Sequence, residues 1–179
     1  LTMVPALRDV LVLTQAHADL IAAKRPTVSK NSCGYNLFGV ADGLAQGVFD
    51  LPKLFVGSEG TLGIMSEATL RLVNRPTSTL TALLHFQNLE EVGHAVPQIL
   101  TLQPSALEVM DANTLNLIGR AKHGIPADAA ATLLVELDAD GAGADLRAQA
   151  ERMTEICRRY RLMSDPVIAF DPEQREQLW

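Results

Sequence analysis

Lys30-Asn31-Ser32-Cys33-Gly34-Tyr35-Asn36-Leu37 and, after a variable insert, Leu54-Phe55-Val56-Gly57-Ser58-Glu59-Gly60-Thr61-Leu62-Gly63-Ile64 are the two stretches around which the chain is organised. In the second, glycines recur at every third position after an apolar run. The chain leaves it through Ile64 to Leu72, which alternates like a strand. Glycine at this density serves tight turns, or a backbone that lies directly against a ligand. Spacing alone favours a glycine hairpin without a ligand. It also excludes the common phosphate loops: Gly57, Gly60 and Gly63 match neither the dinucleotide fingerprint nor the P-loop, and no Lys-Ser/Thr follows. With a strand rather than a helix expected next, no helix N-terminus waits for a phosphate. A ligand here would meet main-chain amides and small side chains.

These two ordered motifs, with Glu67-Ala68-Thr69-Leu70-Arg71-Leu72 behind them, resemble the FAD-linked oxidase family of the vanillyl-alcohol-oxidase type. That group holds D-lactate dehydrogenases, glycolate oxidase FAD subunits and D-2-hydroxyglutarate dehydrogenases. The resemblance covers residues 30 to 73 at motif level and continues more weakly to the C-terminus. It implies an FAD-dependent oxidoreductase that oxidises a 2-hydroxy acid by hydride transfer to flavin N5. In the family the second motif runs along bound FAD. The cofactor-binding residues it implies here are Gly57, Ser58, Glu59, Gly60, Thr61, Leu62, Gly63 and Ile64, with Asn31, Gly34 and Tyr35 from the first motif. Lys30 could face flavin, an acidic substrate or solvent. No catalytic residue and no metal site is assigned.

Length and composition set bounds around this. A chain of 179 residues holds one sizeable core or two small ones. Hydrophobic content of 47% and charged content of 20% describe a globular protein. A net charge of −6 and 4% aromatic residues argue against nucleic acid as partner. No apolar run reaches the roughly 18 residues needed to span a bilayer, and no signal peptide opens the chain. Cys33 and Cys157 make neither a disulfide framework nor a metal spacing, so a cytoplasmic location is expected, or one peripheral to the inner membrane.

Along the chain, Val10 to Leu13 and Leu20 to Ala23 suit strands, Gly39 to Asp50 a loop, and Asp50 to Phe55 one helical turn capped by Asp50. Pro76 marks a boundary; the resemblance implies that residues 1–75 are the C-terminal part of a PCMH-type FAD-binding domain and 76–179 a second domain. There a β-α-β-β-α-β order emerges. The strands fall at Thr79 to Phe86, Ala106 to Met110, Thr132 to Leu137 and Pro166 to Phe170. The helices are Asn88 to Leu102, kinked or ended early by Pro97, and Ala144 to Tyr160, with a short one opened by Asp111. The fold class is α+β, with a ferredoxin-like cap of the kind the family carries.

The four histidines show no ligand spacing, and the Asp138-Ala139-Asp140-Gly141 run lacks the glutamate a calcium loop requires at its twelfth position. Both ends look cut. Asp171-Pro172-Glu173-Gln174 is a strong helix start with little chain behind it. The family's pyrophosphate loop and its downstream Gly-His-x-Gly-Asp-Gly-Asn motif are absent. The piece alone is therefore expected to be inactive. For the whole protein the resemblance leaves the electron acceptor open among an iron–sulfur protein, a quinone and oxygen. The alternative is a non-enzymatic ferredoxin-like regulatory or assembly module with a structural glycine loop.

Overall fold

The computed structural model describes residues 4–28, 31–140 and 144–179. Its contacts divide into two compact units, Leu1–Arg71 and Leu72–Trp179.

The first unit is helical: α1 (Pro5–Ala16), α2 (Ala18–Ala23), α3 (Leu37–Ala45) and α4 (Pro52–Phe55). Three expectations change here. Val10 to Leu13 and Leu20 to Ala23 lie in helices, not strands. A four-residue apolar run cannot by itself distinguish the two states. Without a partner strand among the described residues of this unit, helix is the state that satisfies the backbone locally. Thr14 shows it: its hydroxyl donates back to the Val10 carbonyl at 2.8 Å. The stretch read as a loop from Gly39 onward is largely α3 instead. Asn36 caps it by accepting from the Gly39 amide at 2.9 Å. Gly43 inside this helix marks a close approach, since a Cβ there would lie 2.7 Å from the Val48 carbonyl oxygen. Leu51, not Asp50, precedes α4, and no side chain caps it. Ile21, Val40 and Leu54 are the buried hydrophobic residues of this unit among those described. An Arg25–Asp42 ion pair lies at the surface, and the Arg25 guanidinium sits 5.7 Å from the Phe38 ring centre.

Residues 64 to 72 form no strand either. The alternation is present, but a strand exists only through ladder bonds to a neighbour, and none is made here. Ile64, Leu70 and Leu72 are exposed as a result.

The second unit is α+β. Strands β1 (Ser78–Phe86), β2 (Ala106–Asp111), β3 (Ala131–Ala139) and β4 (Val167–Ala169) form one sheet in the order β2-β3-β1-β4, every neighbouring pair antiparallel. Helices α5 (Leu89–Ile99) and α7 (Ala144–Arg158) lie on one face, while α6 (Ala112–Ile118) and α8 (Pro172–Leu178) complete the unit. Alternation along β1 and β3 sends Leu80, Ala82, Leu84, Phe86, Leu133, Val135 and Leu137 into the core. There they meet Val92, Ala95 and Ile99 of α5 and Leu146, Ala150, Met153 and Ile156 of α7. Helix starts were legible from their caps: Asn88 accepts from the Glu91 amide, Asp111 from Thr114, and Asp171 from Glu173 and Gln174. The α-helix ends two residues beyond Pro97 and continues as a 3₁₀ turn, Leu100–Leu102. Cys157 is buried in this core, where desolvation pushes its thiol up to about 12, so it is inert.

Between α6 and β3 the chain is held by the buried cluster of Leu115, Ile125 and Ala129 and by the Arg120 side chain. Arg120 donates to the carbonyls of Ala112, Pro126 and Ala129 and to the Asn116 side-chain oxygen. Arg120→Ala strands these partly buried acceptors, and a loss of about 2 kcal/mol is expected in urea unfolding. Arg120→Lys, which cannot bridge several carbonyls at once, should restore only a small part of it.

Candidate functional site

In the first unit the two motifs meet. At the second, Phe55 carbonyl accepts from the Ser58 amide at 3.1 Å, and the Ser58 carbonyl accepts both the Thr61 amide at 3.0 Å and the Thr61 hydroxyl at 2.6 Å. Gly57 and Gly60 sit at φ of +82° and +77°, with Glu59 between them also left-handed at +51°. Such a run is open to glycine and costs a residue with a Cβ about 1–2 kcal/mol. Thr61 Oγ1 lies 2.8 Å from the Tyr35 hydroxyl. The threonine proton is committed to Ser58, so the phenol donates and ties the first motif to the second.

Asn31, Gly34, Tyr35 and Gly57 line a cleft of about 240 Å³ together with Phe38 and Val56. The Asn31 side chain braces the first motif by accepting from the Cys33 amide at 3.0 Å. Ser58 is buried, while Glu59, Gly60, Thr61, Leu62, Gly63 and Ile64 are exposed and do not line the cleft. Lys30 lies outside the described residues. A Cβ built on Gly34, Gly57 or Gly60 would meet nothing within 4 Å, so the main chain at these positions looks into open space. A flat or extended group could lie directly against bare backbone at these positions.

In the second unit, the sheet face away from the core carries polar side chains that sequence reasoning did not single out. His85 is buried, its Nδ1 2.9 Å from the Thr132 hydroxyl. Glu136 Oε2 accepts from the Thr81 hydroxyl at 3.1 Å and from the Trp179 indole N–H at 3.0 Å, and lies 3.8 Å from Arg175 Nη1. Glu136 therefore fastens α8 to the middle of the sheet. The legible signal was a lone carboxylate inside the apolar run Leu133-Leu134-Val135-Glu136-Leu137. Beside it, Leu83, Met110, Leu134 and Trp179 line a largely apolar cleft of about 520 Å³.

Burial holds the His85 imidazole below its ordinary value of 6.5. A depressed histidine stabilises the fold fully above the unfolded value, and the contribution is lost as pH falls through the folded value. Urea midpoints should therefore drop on acidification below pH 6.5. In His85→Gln that part of the slope should disappear.

A helical unit presenting bare glycine backbone and an α+β unit with a four-stranded antiparallel sheet describe a protein of two parts. Residues 75–179 match the family model described as "FAD linked oxidases, C-terminal domain". The chain belongs to this family, whose full-length members are oxidoreductases with FAD as cofactor. It is similar to the glycolate oxidase subunit GlcD of Escherichia coli K12, 35% identical over 142 residues, covering 78% of this chain and 28% of that protein. The GlcD subunit of Bacillus subtilis is 39% identical over 114 residues, covering 62% of this chain and 24% of that protein. A D-2-hydroxyglutarate dehydrogenase of Stutzerimonas stutzeri is 32% identical over 136 residues, 73% of this chain and 29% of that protein. The chain thus spans about a quarter of the length of these curated relatives.

Proposed function

We propose that this chain is part of an FAD-linked enzyme that oxidises a small 2-hydroxy acid. Residues 1–75 would be the C-terminal portion of its PCMH-type FAD-binding domain, and 76–179 a ferredoxin-like cap. The strand order and antiparallel directions of the sheet support the second assignment. The observation that carries the reading is the left-handed turn at Gly57 and Gly60, bare of side chains and bonded through Thr61 to Tyr35. When bound, FAD would supply the hydride acceptor at flavin N5. The residues of this chain would do the positioning. Gly57, Gly60 and Gly63 would let the backbone approach the cofactor, and the Ser58 and Thr61 hydrogen bonds would hold the turn rigid. Asn31, Gly34 and Tyr35 would form the adjoining wall, while Glu59, Leu62 and Ile64 would flank it. Names among the relatives, glycolate oxidase and D-2-hydroxyglutarate dehydrogenase, support a 2-hydroxy acid as substrate class. Electrons would leave to an iron–sulfur protein or a quinone.

The test is a visible absorbance spectrum of the purified protein carrying its complete flavin domain, before and after anaerobic addition of D-lactate, glycolate and D-2-hydroxyglutarate. Flavin absorbance bleached by one of these acids is expected. A protein that retains no flavin after incubation with FAD and dialysis would overturn the reading in favour of a structural glycine loop.

A further inference from the structure

A third cleft, of about 790 Å³, lies wholly within the second unit and is lined by three arginines: Arg75 before β1, Arg147 on α7 and Arg175 on α8. We propose that it binds a small oxyanion, a carboxylate or a phosphate.

The argument starts from Arg175. Its side chain is only 18% exposed, and its Nε is buried without a hydrogen-bond partner. Nη1 stands 3.8 Å from Glu136 Oε2, beyond hydrogen-bond reach, and that oxygen is already engaged by Thr81 and Trp179. A buried donor without an acceptor is uncommon in folded proteins and points to a missing partner. Nε and an Nη of one guanidinium form a parallel pair of donors, which matches two oxygens of a carboxylate or phosphate.

The other two arginines have charge to spare. Among the described residues neither Arg75 nor Arg147 has a carboxylate partner. Arg147 stacks over the Phe170 ring, 5.3 Å from its centre, which orients the guanidinium and leaves its edge free to donate. Glu136 and Asp138 also line the cleft, and Asp138 accepts the Thr79 hydroxyl at 2.6 Å. Three guanidinium groups against two carboxylates leave the lining positive, in a protein whose net charge is −6. Guanidinium groups only donate, and their excess over the two carboxylates favours an anion over a cation.

Titration calorimetry of the chain with inorganic phosphate and, separately, with succinate tests this, each against chloride at equal ionic strength. Saturable binding of at least one anion is expected, and whichever binds names the source. Arg147→Gln and Arg175→Gln should each weaken it at least tenfold. Arg175→Lys, which keeps the charge but loses the paired donors, should lose most of the affinity too. Arg147 is exposed and supports no core contact, so its variant stays interpretable even where Arg175→Gln unfolds. No saturable heat from either anion would overturn the proposal. So would affinities that the Arg147 variant leaves unchanged.

Discussion

Phe86→Ala is expected to cost the second unit about 3–5 kcal/mol, the range for truncating a fully buried phenylalanine. Phe86 is 0% exposed and lies on β1, which pairs with β3 on one side and β4 on the other. Its side chain is in the cluster that also takes in residues of α5 and α7, so the cavity would open where sheet and helix layer meet. Domains of this size are stable by roughly 5–15 kcal/mol, so one such cavity removes a large part of the total. Thermal and urea unfolding followed by far-ultraviolet circular dichroism measure it. Val109→Ala on the edge strand β2, where Val109 is 47% exposed, should change stability by less than about 0.5 kcal/mol. A loss below about 1 kcal/mol for Phe86→Ala would mean that β1 is not the centre of the core.

The second large effect is expected at Gly60. Gly60→Val forces a β-branched residue to adopt φ near +77°, and its Cβ would point into the open space where the cofactor is proposed to lie. In the protein with its complete flavin domain, affinity for FAD should fall at least about tenfold, equivalent to about 1.4 kcal/mol. Gly93→Ala is the control: Gly93 lies on the exposed side of α5, and a Cβ there meets nothing within 4 Å. That change should leave FAD binding as it was and raise helix stability slightly. Fluorescence titration with FAD gives both affinities. Helix content measured on the same samples separates a lost contact from a collapsed turn. A Gly60→Val protein that stays folded and binds FAD normally would remove this segment from the cofactor site.

The signals that proved readable are local ones. Asn88, Asp111 and Asp171 announce helix starts because a short polar side chain bonding its own helix needs nothing from elsewhere. The four strands of the second unit read correctly because each carries alternation or an apolar run bounded by turn residues. The two glycine motifs are local as well, and the family they resemble is the one to which the chain belongs.

What failed among the expected strands depends on partners distant in sequence. Val10 to Leu13 and Ile64 to Leu72 both carry strand-compatible patterns, yet one is helix and the other pairs with no strand among the described residues, because strand formation depends on a neighbour that composition does not reveal. The misreading of α3 as a loop came from taking Gly39 and Gly43 as breakers, when at Gly43 the absent side chain makes room for the Val48 carbonyl. The convergence of Thr81, Glu136, Arg175 and Trp179 is tertiary in the same sense. Glu136 is only an isolated carboxylate in an apolar strand until the sheet places Thr81 opposite it and α8 brings in Trp179 and Arg175. Sequence by itself determined the caps at Asn88, Asp111 and Asp171, which rest on bonds made within a few residues, the strands of the second unit, which carry alternation or an apolar run, and the family, which rests on ordered motifs. Only the tertiary structure decided which polar side chains share a cleft and which donor in it is left without an acceptor, since burial and hydrogen-bond partnership are set by packing across the whole unit.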